Sequence, residues 1–92
     1  NDLATGKAVP GNIRVQTEQV INNLKTVLAA SGASLADVVR CGVYLTDMNN
    51  FAEMNAIYRE HFSAPFPSRS TIECGLAPGY IIEIDCVAVI QE

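Results

Sequence analysis

Residues 38–74, VVRCGVYLTDMNNFAEMNAIYREHFSAPFPSRSTIEC, change hydrophobic period twice. Around residues 36–47 the side chains alternate. Val39, Cys41, Val43 and Leu45 fall on one face, and Arg40, Gly42, Tyr44 and Thr46 on the other, which is the period of a half-buried strand. From Met48 to Phe62 the period becomes helical, with Phe51, Met54, Ile57, Tyr58 and Phe62 on one side. Asn50 and Glu53 have the spacing of a capping box. The prolines of SAPFP (63–67) end the helix, because proline lacks the amide donor and restricts the residue before it. Residues 68–74 return to strand composition. A strand, a helix and a strand joined in this way predict a parallel crossover.

Working outward, residues 1–15 hold Gly6, Pro10 and Gly11 and read as loop. Residues 16–31 place Val20, Ile21, Leu24, Val27 and Leu28 at helical spacing, and Gly32 supplies the stop. After the turn GLAPG (75–79), YIIEIDCVAVI (80–90) reads as a long strand. Ile82, Ile84, Cys86, Ala88 and Ile90 make one apolar face. Ile81, Glu83, Asp85, Val87 and Val89 make the other, half apolar as well, which points to a subunit interface. The short turn predicts that this strand pairs antiparallel with residues 68–74. Three strands and two helices in this order give an α+β domain with a mixed sheet and both helices on one face.

At 92 residues, 49% of them hydrophobic and 17% charged, the chain makes one domain with a core. A domain this small buries a limited share of its surface, and oligomerisation is a common remedy. A net charge of −4 without a basic run argues against a nucleic-acid footprint. No apolar run reaches membrane-spanning length, and no signal peptide is visible. Three cysteines without a CxxC pair make neither a disulfide framework nor a zinc site. Buried thiols in a reducing compartment are expected, which fits the cytoplasm, with a mitochondrial location as the alternative. A lone His61, near a helix C-terminus whose dipole suits it, excludes triads of the Ser-His-Asp kind. No glycine-rich phosphate loop or metal-ligand cluster is present, so neither a metal nor a cofactor is expected.

Arg69 opens the strand 68–74 immediately after Pro67 and Ser68. Parity with Ile72 and Cys74, assigned to the core, turns Arg69, Thr71 and Glu73 away from it. If the final strand is the neighbour, Glu83 shares that outer face. Two readings follow: an interfacial Arg–Glu ion pair, or an anion site. In the second, the planar guanidinium holds a carboxylate and Glu83 acts as base toward water. Asn55 stands mid-helix, where Asn is a poor choice, so it either has a structural partner or lines a site.

The combination VYLTDMNNFAEMNAIYREHF (43–62), PSRST (67–71) and IIEIDCVAV (81–89), with TEQVINNLKTVLAASGASLADVV (17–39) before it, resembles the YjgF/RidA family of reactive-intermediate imine deaminases over essentially the whole chain. The resemblance implies a chorismate-mutase-like α+β domain assembled as a homotrimer, with active sites in the clefts between subunits. It implies hydrolysis of small 2-imino acids, such as 2-iminobutanoate and 2-iminopropanoate, to 2-oxo acids and ammonia without a cofactor. Arg69 then matches the arginine that holds the substrate carboxylate, and Glu83 the glutamate that activates water. Thr71 stands where many members have Cys, and Asn55 matches an asparagine lining the cleft. The family begins with two further strands, which carry a tyrosine and a serine–glycine segment facing the substrate, and the resemblance starts after them. The alternative is a non-catalytic protein that binds small carboxylates, or an interaction protein, on the same trimeric scaffold.

Overall fold

A computed structural model describes residues 12–90; most of the loop read at 1–15 lies outside them. The first helix, α1, spans Ile13–Ala30. It begins three residues before the periodicity suggested, because the Asn12 side chain accepts from the Val15 amide at 3.1 Å and caps it. At its other end Gly32 adopts φ +79°. There the Gly32 amide donates to Ala29 and the Ala33 amide to Leu28, at 3.1 and 2.8 Å, the paired bonds of a glycine-terminated helix. The buried stripe of α1 is Ile13, Gln16, Thr17, Ile21 and Leu28, while Val27 turns outward, 60% exposed.

A 3₁₀ turn at 35–37 carries a true capping box between Ser34 and Asp37. The strand β1 follows at Val38–Leu45. The helix α2 spans Phe51–His61 and is entered through a 3₁₀ turn at 48–50. The capping box expected at Asn50 and Glu53 is absent; Asn50 makes no side-chain cap bond. Asp47 organises the entry instead, accepting from the Asn49 amide at 2.9 Å. Met54, Ile57, Tyr58 and Phe62 are buried as their spacing required. Strands β2 (Ser68–Glu73) and β3 (Ile82–Ala88) complete the domain.

The sheet order is β2-β1-β3. The crossover from β1 to β2 is parallel, as expected. The pairing expected between the last two strands is not made. Instead, β3 runs antiparallel to β1 and lies on its other side. The reason lies in burial. Placing β1 in the middle lets Cys41, Val43 and Leu45, all fully buried, be flanked on both sides and covered by the helices. The result is α+β, two helices packed on a mixed three-stranded sheet.

Two parity assignments change with it. In β1 a register irregularity between Val38 and Arg40 turns Val38 inward and leaves Val39 50% exposed. In β2 the faces are reversed. Arg69 pairs in register with Cys41 and Thr71 with Val43, so Arg69 and Thr71 lie on the helix side. Ile72, expected in the core, pairs with Tyr44 and is 50% exposed. In the last strand Ile82, Ile84, Cys86 and Ala88 face the core, but Ile90 is 49% exposed. Ile81 packs partly against the core, so the outer apolar residues of this segment are Val87 and Val89.

The long connection into β3 is tied to α1. Buried Gln16 donates to the Gly79 carbonyl and accepts from the Ile81 amide, both at 2.9 Å. One side chain thus pairs two backbone groups of that loop. His61 links the two helices, its Nε2 2.9 Å from Glu18 Oε1 and its Nδ1 2.9 Å from Lys25 Nζ. It acts through these partners, in addition to its place in the last turn of α2.

Candidate functional site

Positions 51, 55 and 58 lie on one stripe of α2 at i, i+4 and i+7. Against this stripe β2 presents Arg69. Its guanidinium carbon sits 4.8 Å from the Tyr58 ring centre and 5.3 Å from that of Phe51. Its Nη1 donates to Asn55 Oδ1 at 2.6 Å. Two aromatic faces and one amide oxygen therefore fix the plane of the fork, which explains both the mid-helix Asn and the guanidinium at the strand mouth. Arg69 is half-buried and has no carboxylate within ion-pair distance among the described residues. A guanidinium carries five N–H donors, and Asn55 takes one. The rest are available to an anion that presents two coplanar oxygens.

The cleft over this arginine has a volume of about 280 Å³ and is lined by Asn55, Tyr58, Arg59, Phe66, Pro67 and Arg69. The floor beside it is not acidic. Burial pushes the Cys41 thiol up, offset in part by the Tyr58 hydroxyl and the Arg69 charge. Burial also pushes the Tyr58 phenol strongly upward, and the Cys41 thiol beside it adds to the shift. Both groups are neutral at physiological pH, so neither adds a negative charge beside Arg69. Cys86, opposite Cys41 across the strands, is likewise raised by burial first and Cys41 second.

Of the four site residues expected from the sequence, Arg69 and Asn55 are in contact, and Thr71 lies further along the same half-buried face of β2. Glu83 is elsewhere. On β3 it pairs with Tyr44 of β1, is exposed, and points to the opposite face of the sheet, with β1 between it and β2. The shared outer face expected for Arg69 and Glu83 does not exist within one chain. Glu83 borders a different cleft, of about 410 Å³, with Gly75, Leu76, Ala77 and Tyr80.

Sequence reasoning placed Phe51 and Tyr58 in the core and did not single out Arg59 or Phe66. The i, i+4, i+7 spacing around Asn55 carried the signal for the first two. Arg59 lies 5.2 Å from the Phe66 ring centre only because the 63–67 segment folds back along α2, and no local pattern encodes that. Also unforeseen is a carboxylate site on the outer face. Asp85 accepts from the Gly42 amide at 3.0 Å and from the Tyr44 hydroxyl at 2.9 Å. A Cβ at position 42 would lie 2.5 Å from Asp85 Oδ1, so glycine is what admits the carboxylate.

The family model described as Endoribonuclease L-PSP matches residues 1–90. A RutC family protein of Pyrococcus horikoshii is 46% identical over 88 residues, 95% of this chain and 70% of that protein. The 2-iminobutanoate/2-iminopropanoate deaminase of Dermatophagoides farinae is 35% identical over 91 residues, covering 98% of this chain and 71% of that protein. The crystal structure of RidA from the Antarctic bacterium Psychrobacter sp. PAMC 21119 matches with a TM-score of 0.89 at 35% identity, over 95% of this chain and 71% of that one. Sequence and fold agree, and the chain belongs to the Endoribonuclease L-PSP family, that of the YjgF and RidA proteins.

Proposed function

We propose that this chain is a 2-imino acid deaminase whose active sites form between copies of a homotrimer, without metal or cofactor. The observation that carries the reading is Arg69: half-buried, stacked on two rings, oriented by Asn55 and lacking a carboxylate partner among the described residues. Such a fork suits the carboxylate of a small 2-imino acid. The name of the Dermatophagoides relative supports the substrate class.

Hydrolysis also needs a base, and Arg69 has none beside it in its own chain. Glu83 sits at the opposite edge of the sheet. Two half-sites on opposite edges of one subunit cannot meet in that subunit. In the proposed homotrimer they meet in a head-to-tail contact whose rotation closes into a ring. In the proposed cleft Arg69 of one copy holds the substrate carboxylate and Glu83 of the next takes a proton from water. The hydroxyl adds to the imine carbon, and Glu83 returns the proton to nitrogen. Glu83 then takes the aminol's hydroxyl proton and passes it to the amino nitrogen, the C–N bond breaks as the C=O bond forms, and ammonia leaves a 2-oxo acid. Acid–base help of this kind is worth roughly 10²–10⁴-fold. Thr71 and Asn55 complete the binding wall, Asn55 by orienting the fork.

A second reading, a carboxylate-binding protein without turnover, is favoured by the neutral Cys41 and Tyr58 beside Arg69. The acidic balance of the chain, −4, gives no support to a ribonuclease role. The deciding measurement is ammonia release from 2-iminobutanoate generated in place by a dehydratase, with and without the protein. Acceleration that Arg69→Ala abolishes and Arg69→Lys barely restores supports the deaminase. Carboxylate binding without acceleration supports the second reading.

A further inference from the structure

The Arg69 cleft holds a second guanidinium. Arg59, on α2, lines the same 280 Å³ cleft, and its planar head stacks on Phe66, 5.2 Å from the ring centre. The chain has six Lys and Arg against ten Asp and Glu. Two of those six cations converge on one small cleft, and neither has a carboxylate within ion-pair distance among the described residues. Like charges are not gathered in an acidic protein without a cost in repulsion, which an anion between them would relieve. A cleft near the low end of the roughly 300–1,000 Å³ range of ligand pockets suits a small metabolite.

We propose that the cleft prefers a short 2-imino dicarboxylic acid, of four or five carbons, whose first carboxylate docks on Arg69 and whose distal carboxylate docks on Arg59. The proposal rests on the reading of Arg69 as the carboxylate clamp and adds Arg59 as the residue that sets specificity. Phe66 serves as the platform that holds the Arg59 fork at the mouth of the cleft. Because Arg59 is solvent-exposed, its contribution sits at the lower end for a charge-assisted hydrogen bond.

The test is calorimetric titration of the full chain with succinate, glutarate and butyrate, unreactive probes of the two carboxylate positions. The better of the two dicarboxylates is expected to bind about tenfold more tightly than butyrate. In Arg59→Gln that ratio should fall to near one, and in Arg59→Glu below one. Arg59 is exposed, so both variants are expected to fold, which the unchanged circular dichroism of each will verify. A ratio near one in the parent protein, or a ratio that Arg59→Gln leaves unchanged, overturns the proposal. If butyrate binds in an Arg69-dependent way with no dicarboxylate preference, the Arg69 reading survives and the role of Arg59 does not. Failure of all three probes to bind overturns both.

Discussion

Arg69 and Glu83 lie on opposite faces of the sheet, on its two outer strands. If catalysis needs both, each site takes them from different chains, and two inactive variants should restore each other. Arg69→Ala keeps an intact Glu83, and Glu83→Gln keeps an intact Arg69. Each alone should lose roughly 10²–10⁴-fold of the acceleration. When the two are unfolded together in equal amounts and refolded, every site draws its arginine and its glutamate independently from two chains. Each draw succeeds half the time, so about one quarter of sites hold both intact residues in a head-to-tail ring. Activity should therefore rise from about one per cent or less to about a quarter of the parent value. The assay is ammonia release from 2-iminobutanoate, with native mass spectrometry to establish that mixed oligomers have formed. Mixed oligomers no more active than the mean of the two variants would refute the shared site. Intact monomers at micromolar concentration would refute the ring itself.

Further outcomes are expected away from the cleft. Gly32→Ala introduces no contact within 4 Å, so its effect comes from φ +79° alone; the urea midpoint should report a loss of about 1 kcal/mol. The Tyr44 phenol is raised above the ordinary tyrosine value chiefly by its hydrogen bond to Asp85. Spectrophotometric titration of Asp85→Asn should bring it back toward about 10. Since the folded-state value is the higher one, the bond's contribution to stability is complete below that ordinary value and fades as pH rises through the folded-state value. A thiol reagent should find half-exposed Cys74 first and Cys86 more slowly, because burial raises the Cys86 thiol. Cys41, 0% exposed, should react only on unfolding; labelling of Cys41 as fast as Cys74 would contradict the packing. All three were expected to be buried from their alternation, and only Cys41 is fully so.

Both helices, β1 and the parallel crossover are legible in the chain because each rests on a local period. Val43 and Leu45 alternate into the core whatever lies beside them, and Met54, Ile57 and Tyr58 share a stripe of any helix that contains them. Asn55 and Arg69 stood out for a similar reason, as residue types that their local element does not favour. The order of the strands had no such signature. A five-residue turn is compatible with pairing β2 to β3, and only the competition to cover both sides of β1 decided otherwise. The register of β2 on β1, with Arg69 beside Cys41 and Thr71 beside Val43, reversed the expected faces of β2, since a strand has period two and carries every side chain with it. Arg69 thereby moved under α2, onto Phe51 and Tyr58, and away from Glu83. Arg59 joined it through the return of the 63–67 segment. Local periodicity, a property of neighbours in the chain, determined what each segment is. Which charges meet was left to packing, because guanidiniums and carboxylates far apart in sequence are brought together or separated only by the burial of the apolar residues between them.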